Sequence, residues 1–274
     1  TWRGQRTISL NKHMTEGMRF RNKLAYDLIR GIPQMVGLRT QFVHLYVKDN
    51  TEGSGGKFED YGIYTQVEQL NKTALKSHGL DSNGQLYKIN SFEFYRYEDI
   101  IKKEDDAGYD KTAFEKMLEI KGDSDHTKLI DMLTDLNDYS IGIEDVLKEH
   151  FDEENIIYWM AFQILMGNVD TQNRNVYLYS PLNSDIWYFI AWDNDGCLMR
   201  PEYELRNFSD QNSWEKGISN YWGNILFQRC LKSRSFREKL NDAILDLREY
   251  LNKDMLTSKI ESYKNVLKPY LYSM

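Results

Sequence analysis

Strand patterns crowd the first 90 residues and helical patterns the remainder, an order that predicts an α+β chain, with a small mixed lobe over 1–90 and a mainly helical lobe over 91–274. Two runs carry most of that prediction. Residues 39–47 and 61–68 alternate apolar and polar side chains on either side of the polar stretch DNTEGSGGKFED, the pattern of a hairpin with a long tip. Residues 154–166, ENIIYWMAFQILM, are apolar nearly all round, as in a helix that lies inside a lobe.

The remaining elements follow in order. Residues 7–11 read as the end of a strand, and Thr15 as the cap of an amphipathic helix running to Arg30, with Met18, Leu24, Ala25, Leu28 and Ile29 at helical spacing. After the hairpin come a short helix at 69–78, a turn at DSNG (81–84) and a strand at 85–89. The pattern then turns helical at 112–120 and 126–136, where leucines and Met132 supply the buried stripe. Gly167 is placed to end the 154–166 helix, and two short strands follow at 175–179 and 186–192, joined around Pro181 and Asn183. Amphipathic helices at 236–251 and 255–270 close the second lobe.

Composition excludes several classes. Lys and Arg number 35 against 42 Asp and Glu, so a grip on nucleic acid through phosphate neutralisation is disfavoured and a basic partner suits the surface better. No apolar run approaches the roughly 20 residues of a membrane span. Two cysteines, Cys197 and Cys230, make neither a zinc cluster nor a disulfide framework, although one bridge would suit a secreted protein. The histidines (13, 44, 78, 126, 150) are scattered without ligand spacing, and no Ser or Cys is paired with a base. Acidic stretches at 104–110 and 123–125 could attract a Lys-rich tail. The opening strand-like WRGQRTISL, without a Met, leads us to expect a domain excised from a longer protein.

Chemistry concentrates in residues 166–195, where polar groups flank a strand pair directly after the apolar helix. In phosphoryl transfer a loop Asp orients the acceptor hydroxyl, an Asn five residues on takes a metal ion, and an Asp beyond the next hairpin holds the metal that bridges the nucleotide phosphates. Asp170, Asn175 and Asp193 reproduce that order, with Asp195 as a further ligand, and their oxygens suit Mg²⁺ or Mn²⁺. The His-Arg before the Asp and the Phe-Gly after the metal Asp of ordinary protein kinases are missing. Asp and Asn are also the common residues of turns, so the spacing alone leaves a purely structural role open.

Three separated blocks resemble the CotH family of spore coat protein H-like atypical kinases: MRFRNKLAYDL (18–28), FVHLYV with YGIYTQVEQLNK and GQLYK (42–88), and GNVDTQNRNVYLY with WYFIAWDND (167–195). The similarity covers most of residues 5–200, and its most specific piece is the Asn-x-Asp…Asn and Trp-Asp-x-Asp pair. The resemblance implies a reduced, two-lobed protein-kinase-like fold and ATP-dependent phosphorylation of Ser in a secreted or coat protein. It also implies Asp170 as the catalytic Asp, Asp193 as the metal Asp and Asn175 as a second metal ligand.

Strand periodicity puts Trp187, Phe189, Ala191 and Asp193 on one face, so Trp187 is expected to stack on adenine, with Tyr87 covering the other side of the base. Lys88 is the candidate for the phosphates, with Lys12 competing. Glu68, in GIYTQVE, which matches a family block, is the candidate to hold that lysine. The glycines at 53, 55 and 56 lack a phosphate-loop pattern and read as the hairpin tip. The expectation is therefore an ATP- and Mg²⁺-dependent Ser/Thr kinase acting on a Lys- or Ser-rich protein, located outside the cell, at its surface or on a spore coat. Two alternatives stand beside it. Asp193-Asn194-Asp195 after a strand also suits a metal-dependent nucleotide-sugar glycosyltransferase, and a kinase-like scaffold could serve as a non-catalytic binding module of a surface assembly.

Overall fold

A computed structural model describes residues 4–12, 20–51, 53, 55–168, 170–198, 221 and 223–271. β1 (Ile8–Asn11), β2 (Thr40–Lys48) and β3 (Phe58–Glu68) form an antiparallel sheet with β3 in the middle. The hairpin registers Leu45 against Gly62 and Tyr46 against Asp60, so Tyr61 is an extra residue on β3. Gly62 absorbs the resulting kink with a φ of +79°.

A second antiparallel sheet has the order β5-β4-β6-β7, from β4 (Gln85–Ile89), β5 (Leu118–Ile120), β6 (Val176–Ser180) and β7 (Tyr188–Ala191). β4 hydrogen-bonds both β5 and β6, so this sheet draws strands from either side of residue 90. Period two gives its strands two apolar faces. Tyr87, Ile89, Leu178 and Phe189 face the helical core, while Leu86, Tyr177, Tyr179 and Ile190 face a smaller cluster with Tyr26, Val67, Leu70 and Leu75.

The described helices are α1 (Arg21–Ile29), α2 (Lys72–Ser77), α3 (Lys111–Met117), α4 (Thr127–Asn137), α5 (Ile143–His150), α6 (Glu153–Leu165), α7 (Ile225–Lys232), α8 (Arg234–Tyr250) and α9 (Lys253–Leu271). α6 is the axis of the core, as its all-round apolar sequence requires. Its Trp159 stacks on Phe227 of α7 at 5.6 Å between ring centroids and packs on Phe189 of β7 at 5.1 Å. Asn155, buried on the same helix, accepts from the Phe189 amide at 2.7 Å and donates to the carbonyls of Gln34 and Phe189. That single amide fastens the helix to the strand beside it.

Several expectations need correction. The helix foreseen at 112–120 breaks at Leu118, which turns extended and pairs with Ile89 to make the edge strand β5. α5 and α7 went unforeseen. Thr15 and Met18 lie outside the described residues, and the described helix begins at Arg21 with Phe20 in the cap position. Cys197 and Cys230 are both buried and free, so the single bridge is not formed. Among the described residues no helix is long and apolar enough to cross a membrane.

Glu68, at the end of β3, has no exposed surface. Burial alone would raise its pKa, but donors from His78 at 2.8 Å and from the Arg39 side chain and backbone amide outweigh it and hold the carboxyl at about 2. A folded pKa below the unfolded value of 4.5 stabilises the protein above pH 4.5, and that contribution is lost as pH falls toward 2. We predict that Glu68→Gln lowers urea stability at neutral pH by on the order of 3 kcal/mol. The gap between wild type and variant should close between pH 4.5 and 2, and a pH series of urea midpoints measures it.

Candidate active site

α6 ends in a turn that hands the chain to the polar loop. Gly167 adopts a left-handed φ of +58°, its amide donates to the Ile164 carbonyl, and the Asn168 amide donates to the Gln163 carbonyl, the paired bonds of a Schellman cap. The Asn168 side chain is then fixed from both ends. It donates to Gln163 Oε1 at 2.9 Å and accepts from the Asp170 amide at 3.2 Å. Asp170 is thereby held at the loop with its carboxylate half exposed, 48% of the side chain remaining accessible.

Asn175 closes the loop onto Asp170. Its Nδ2 donates to the Asp170 carbonyl at 3.0 Å and to Asp170 Oδ2 at 2.9 Å, from a left-handed backbone with φ of +57°. Both amide hydrogens are spent in this way, which leaves Oδ1 as the polar atom with lone pairs to offer. The Trp192 amide donates to the Asn175 carbonyl and so brings the end of β7 alongside.

Asp193 follows at φ +49°. Its amide donates to Tyr26 Oη at 2.9 Å, and the next amide, of Asn194, donates to Asn22 Oδ1 at 3.0 Å. Two side chains one turn apart on α1 thus hold a turn that L-residues adopt only at a cost. Gly196 completes the turn, because a Cβ there would come within 2.5 Å of Asn168 Oδ1. The two acidic loops are locked together at that point.

Burial, above all, pushes the Asp193 carboxyl up to about 6; Asp195 and Asp170 add like-charge repulsion, and the Lys88 ammonium pulls the other way. Lys88 thus lies within electrostatic range of Asp193. Glu68 does not hold it, since its oxygens are taken by Arg39 and His78, and Lys12 is spent on the Tyr61 carbonyl. Trp187 and Tyr87 are fully buried, their centroids 6.0 Å apart, with the Tyr87 hydroxyl 2.7 Å from His126 Nδ1. The adenine clamp expected from periodicity is not formed. Strand phase ends at Ala191 and Asp193 is left-handed, so it does not continue the Trp187 face, while Lys88 alternates with Tyr87 along β4 and leaves the sheet on the other face.

Among the described residues no group of three or more His, Cys, Asp or Glu side chains could cage a metal. A cation here would rest on few protein oxygens and take the remainder of its shell from a ligand and water, the habit of Mg²⁺. Beside Asp170 opens a cavity of about 370 Å³ lined by Glu93, Gln172, Asn173, Arg174, Gly223 and Asn224. Glu93 is fixed at its wall by Asn173 Nδ2 and the Tyr97 hydroxyl, both at 2.8 Å. Phe94 and Tyr97 beside it have φ of +64° and +39°. Sequence reasoning missed Glu93, Asn22 and Tyr26. The last two lie four apart in RNKLAYDL, a spacing that puts them on one helical face, whereas nothing local marked Glu93.

An α+β chain that sets a half-exposed Asp, an Asn bonded to it and a second, partly buried Asp within electrostatic range of a Lys has residue types found in kinase-like phosphoryl-transfer centres. A family model described as CotH kinase protein matches residues 1–273, and the chain belongs to that family. It is similar to the inner spore coat protein H of Bacillus subtilis (strain 168), 24% identical over 241 residues that make up 87% of this chain. The match spans 61% of that relative's length.

Removing the α1 anchor tests how the site is built. Tyr26→Phe leaves the Asp193 amide buried without its acceptor and should cost about 1–3 kcal/mol in urea unfolding while preserving the far-UV spectrum.

Proposed function

We propose that this chain is an ATP- and Mg²⁺- (or Mn²⁺-) dependent protein kinase that phosphorylates Ser or Thr in a Lys- and Ser-rich protein of a spore coat, cell surface or secreted assembly. The observation that carries the proposal is the bond from Asn175 Nδ2 to the Asp170 carboxylate, with the partly buried Asp193 carboxyl in electrostatic range of Asp170 and Lys88. Membership of the CotH kinase protein family and similarity to a spore coat protein support the same reading.

In this reading Asp170, open to solvent, accepts a hydrogen bond from the acceptor hydroxyl and orients its lone pair toward the γ-phosphorus. Asn175 fixes the rotamer of Asp170 through Nδ2 and presents Oδ1 to a metal. Asp193 and Asp195 supply carboxylate oxygens for the cation, and Lys88 meets nucleotide phosphate oxygens. The donor set fits a hard divalent ion: it is all oxygen, and a cation would offset both the burial and the like-charge repulsion that raise the Asp193 pKa. When bound, such an ion neutralises charge on the transferring phosphoryl group. Trp187 and Tyr87 stay outside this proposal because both are buried on the opposite face of the sheet from Lys88.

Thermal unfolding with ATP, with a nucleotide sugar, and with each plus Mg²⁺ or chelator separates this reading from its alternatives. We expect a Mg²⁺-dependent shift with ATP, about 2.7 kcal/mol at a hundred times the dissociation constant, that is lost in Asp193→Ala. A shift with the nucleotide sugar alone would favour a glycosyltransferase, and no shift with either a binding module. Asp170→Asn should keep the ATP shift yet lower transfer of labelled phosphate to a Lys- and Ser-rich acceptor peptide by about 10²–10⁴-fold.

A further inference from the structure

A second polar cavity, of about 410 Å³, shares no lining residue with the one beside Asp170. Its polar wall is Arg30, Arg39, Ser77 and His78, and its apolar wall is Met35 with Val36. The charges are unevenly matched. Glu68 is the carboxylate at this wall, and it is already engaged by Arg39 and His78. Arg30 is exposed and has no ion pair or side-chain hydrogen bond among the described residues, and the start of its side chain lies against Gly37, where a Cβ would come within 2.4 Å of Arg30 Cγ.

Arg39, by contrast, is pre-set. Its Nε donates to Glu68 Oε1 at 3.0 Å and its Nη2 to Ser77 Oγ at 2.9 Å, which orients the guanidinium plane and leaves Nη1 facing outward from those bonds. Ser77 in turn donates to the Ala74 carbonyl at 2.8 Å, so the hydroxyl cannot swing away. One guanidinium oriented by its bonds, a second exposed one without a partner, an imidazole and an adjoining apolar shelf make a receptor for an oxyanion carried on a larger body. Guanidinium forks match the tetrahedral oxygens of phosphate, and 410 Å³ exceeds what one phosphate group occupies.

We infer that the Arg30, Arg39, His78 cavity is a binding site for a phosphate monoester, remote in lining from the site at Asp170. Its chemistry is shared by inorganic phosphate and by phosphoserine in a peptide, and the apolar shelf of Met35 and Val36 favours the peptide. If the kinase reading holds, that ester is the class of product the other site makes, and a chain already phosphorylated would be retained for further transfer. The binding site itself does not depend on that reading.

The test is titration of the whole chain by calorimetry, in chelator to silence any metal-bound nucleotide site. The probes are inorganic phosphate, a short phosphoserine peptide and the same peptide with unmodified Ser. Wild type should bind the phosphopeptide saturably and the unmodified peptide at least tenfold more weakly, with affinity falling as salt rises. Arg30→Gln, at an exposed position, should fold normally and lose at least tenfold in affinity. Asp193→Ala should bind as wild type does. Binding of phosphopeptide, with or without free phosphate, supports the ester site, and binding of free phosphate alone overturns it. Binding of neither, equal affinity in Arg30→Gln, or loss of binding in Asp193→Ala overturns the inference. Failure of ATP-dependent transfer leaves all of these outcomes readable, so the two proposals fail separately.

Discussion

The hydrogen bonds from the amides of Asp193 and Asn194 to the side chains of Tyr26 and Asn22 are the constraint on which the site depends. Without them two buried amides would lack acceptors and the left-handed turn would have no reason to persist. α1 can act as this anchor because it is itself held on several sides. Lys23 donates to Asp27 at 2.8 Å and to Thr40 of β2 at 3.2 Å, while Tyr263 of α9 donates to Asp27 and Tyr250 of α8 donates to the Leu28 carbonyl at 3.0 Å. Elements nearly the whole chain apart in sequence therefore converge on one short helix, and through it on the acidic turn.

The distribution of charge follows a division of labour. Glu68 is buried and fully satisfied, which makes it structural. Asp193 is partly buried and repelled by other carboxylates, which makes it a poor structural element and a good ligand. The two acids sit on different sheets and have pKa shifts of opposite sign, one held down by donors and the other pushed up by burial and its neighbours. Environment assigns their roles, since the side chains differ by one methylene.

Much of the fold was legible in the residue pattern. The 39–47 and 61–68 strands, the 85–89 strand and the long apolar helix all appear near their expected places, because period two and all-round apolarity are local signals. β5 was not legible, since Leu118, Glu119 and Ile120 continue a helical pattern and become a strand only by pairing with β4. At the site, Asn175 bonds to Asp170 five residues before it, and Trp187, Phe189 and Ala191 share one buried face as period two expects, while the left-handed Asp193 leaves that face. The expected Lys88 and Glu68 pair failed for a different reason: Arg39, pairing alongside β3, reaches the carboxylate first.

The way β4 is shared bears on how such a chain could move. Kinase-like lobes are usually pictured as two bodies swinging about a linker, yet here a linker near residue 90 would tear the ladders that β4 makes with β5 and β6. The four-stranded sheet must travel with the helices behind it. The three-stranded sheet meets it across the small cluster of Leu86, Tyr177, Val67 and Leu75, and α1 bonds to both, to Thr40 of β2 and to the Asp193 amide beyond β7. Lys88 on β4 and Asp193 just beyond β7 are thus carried by one sheet.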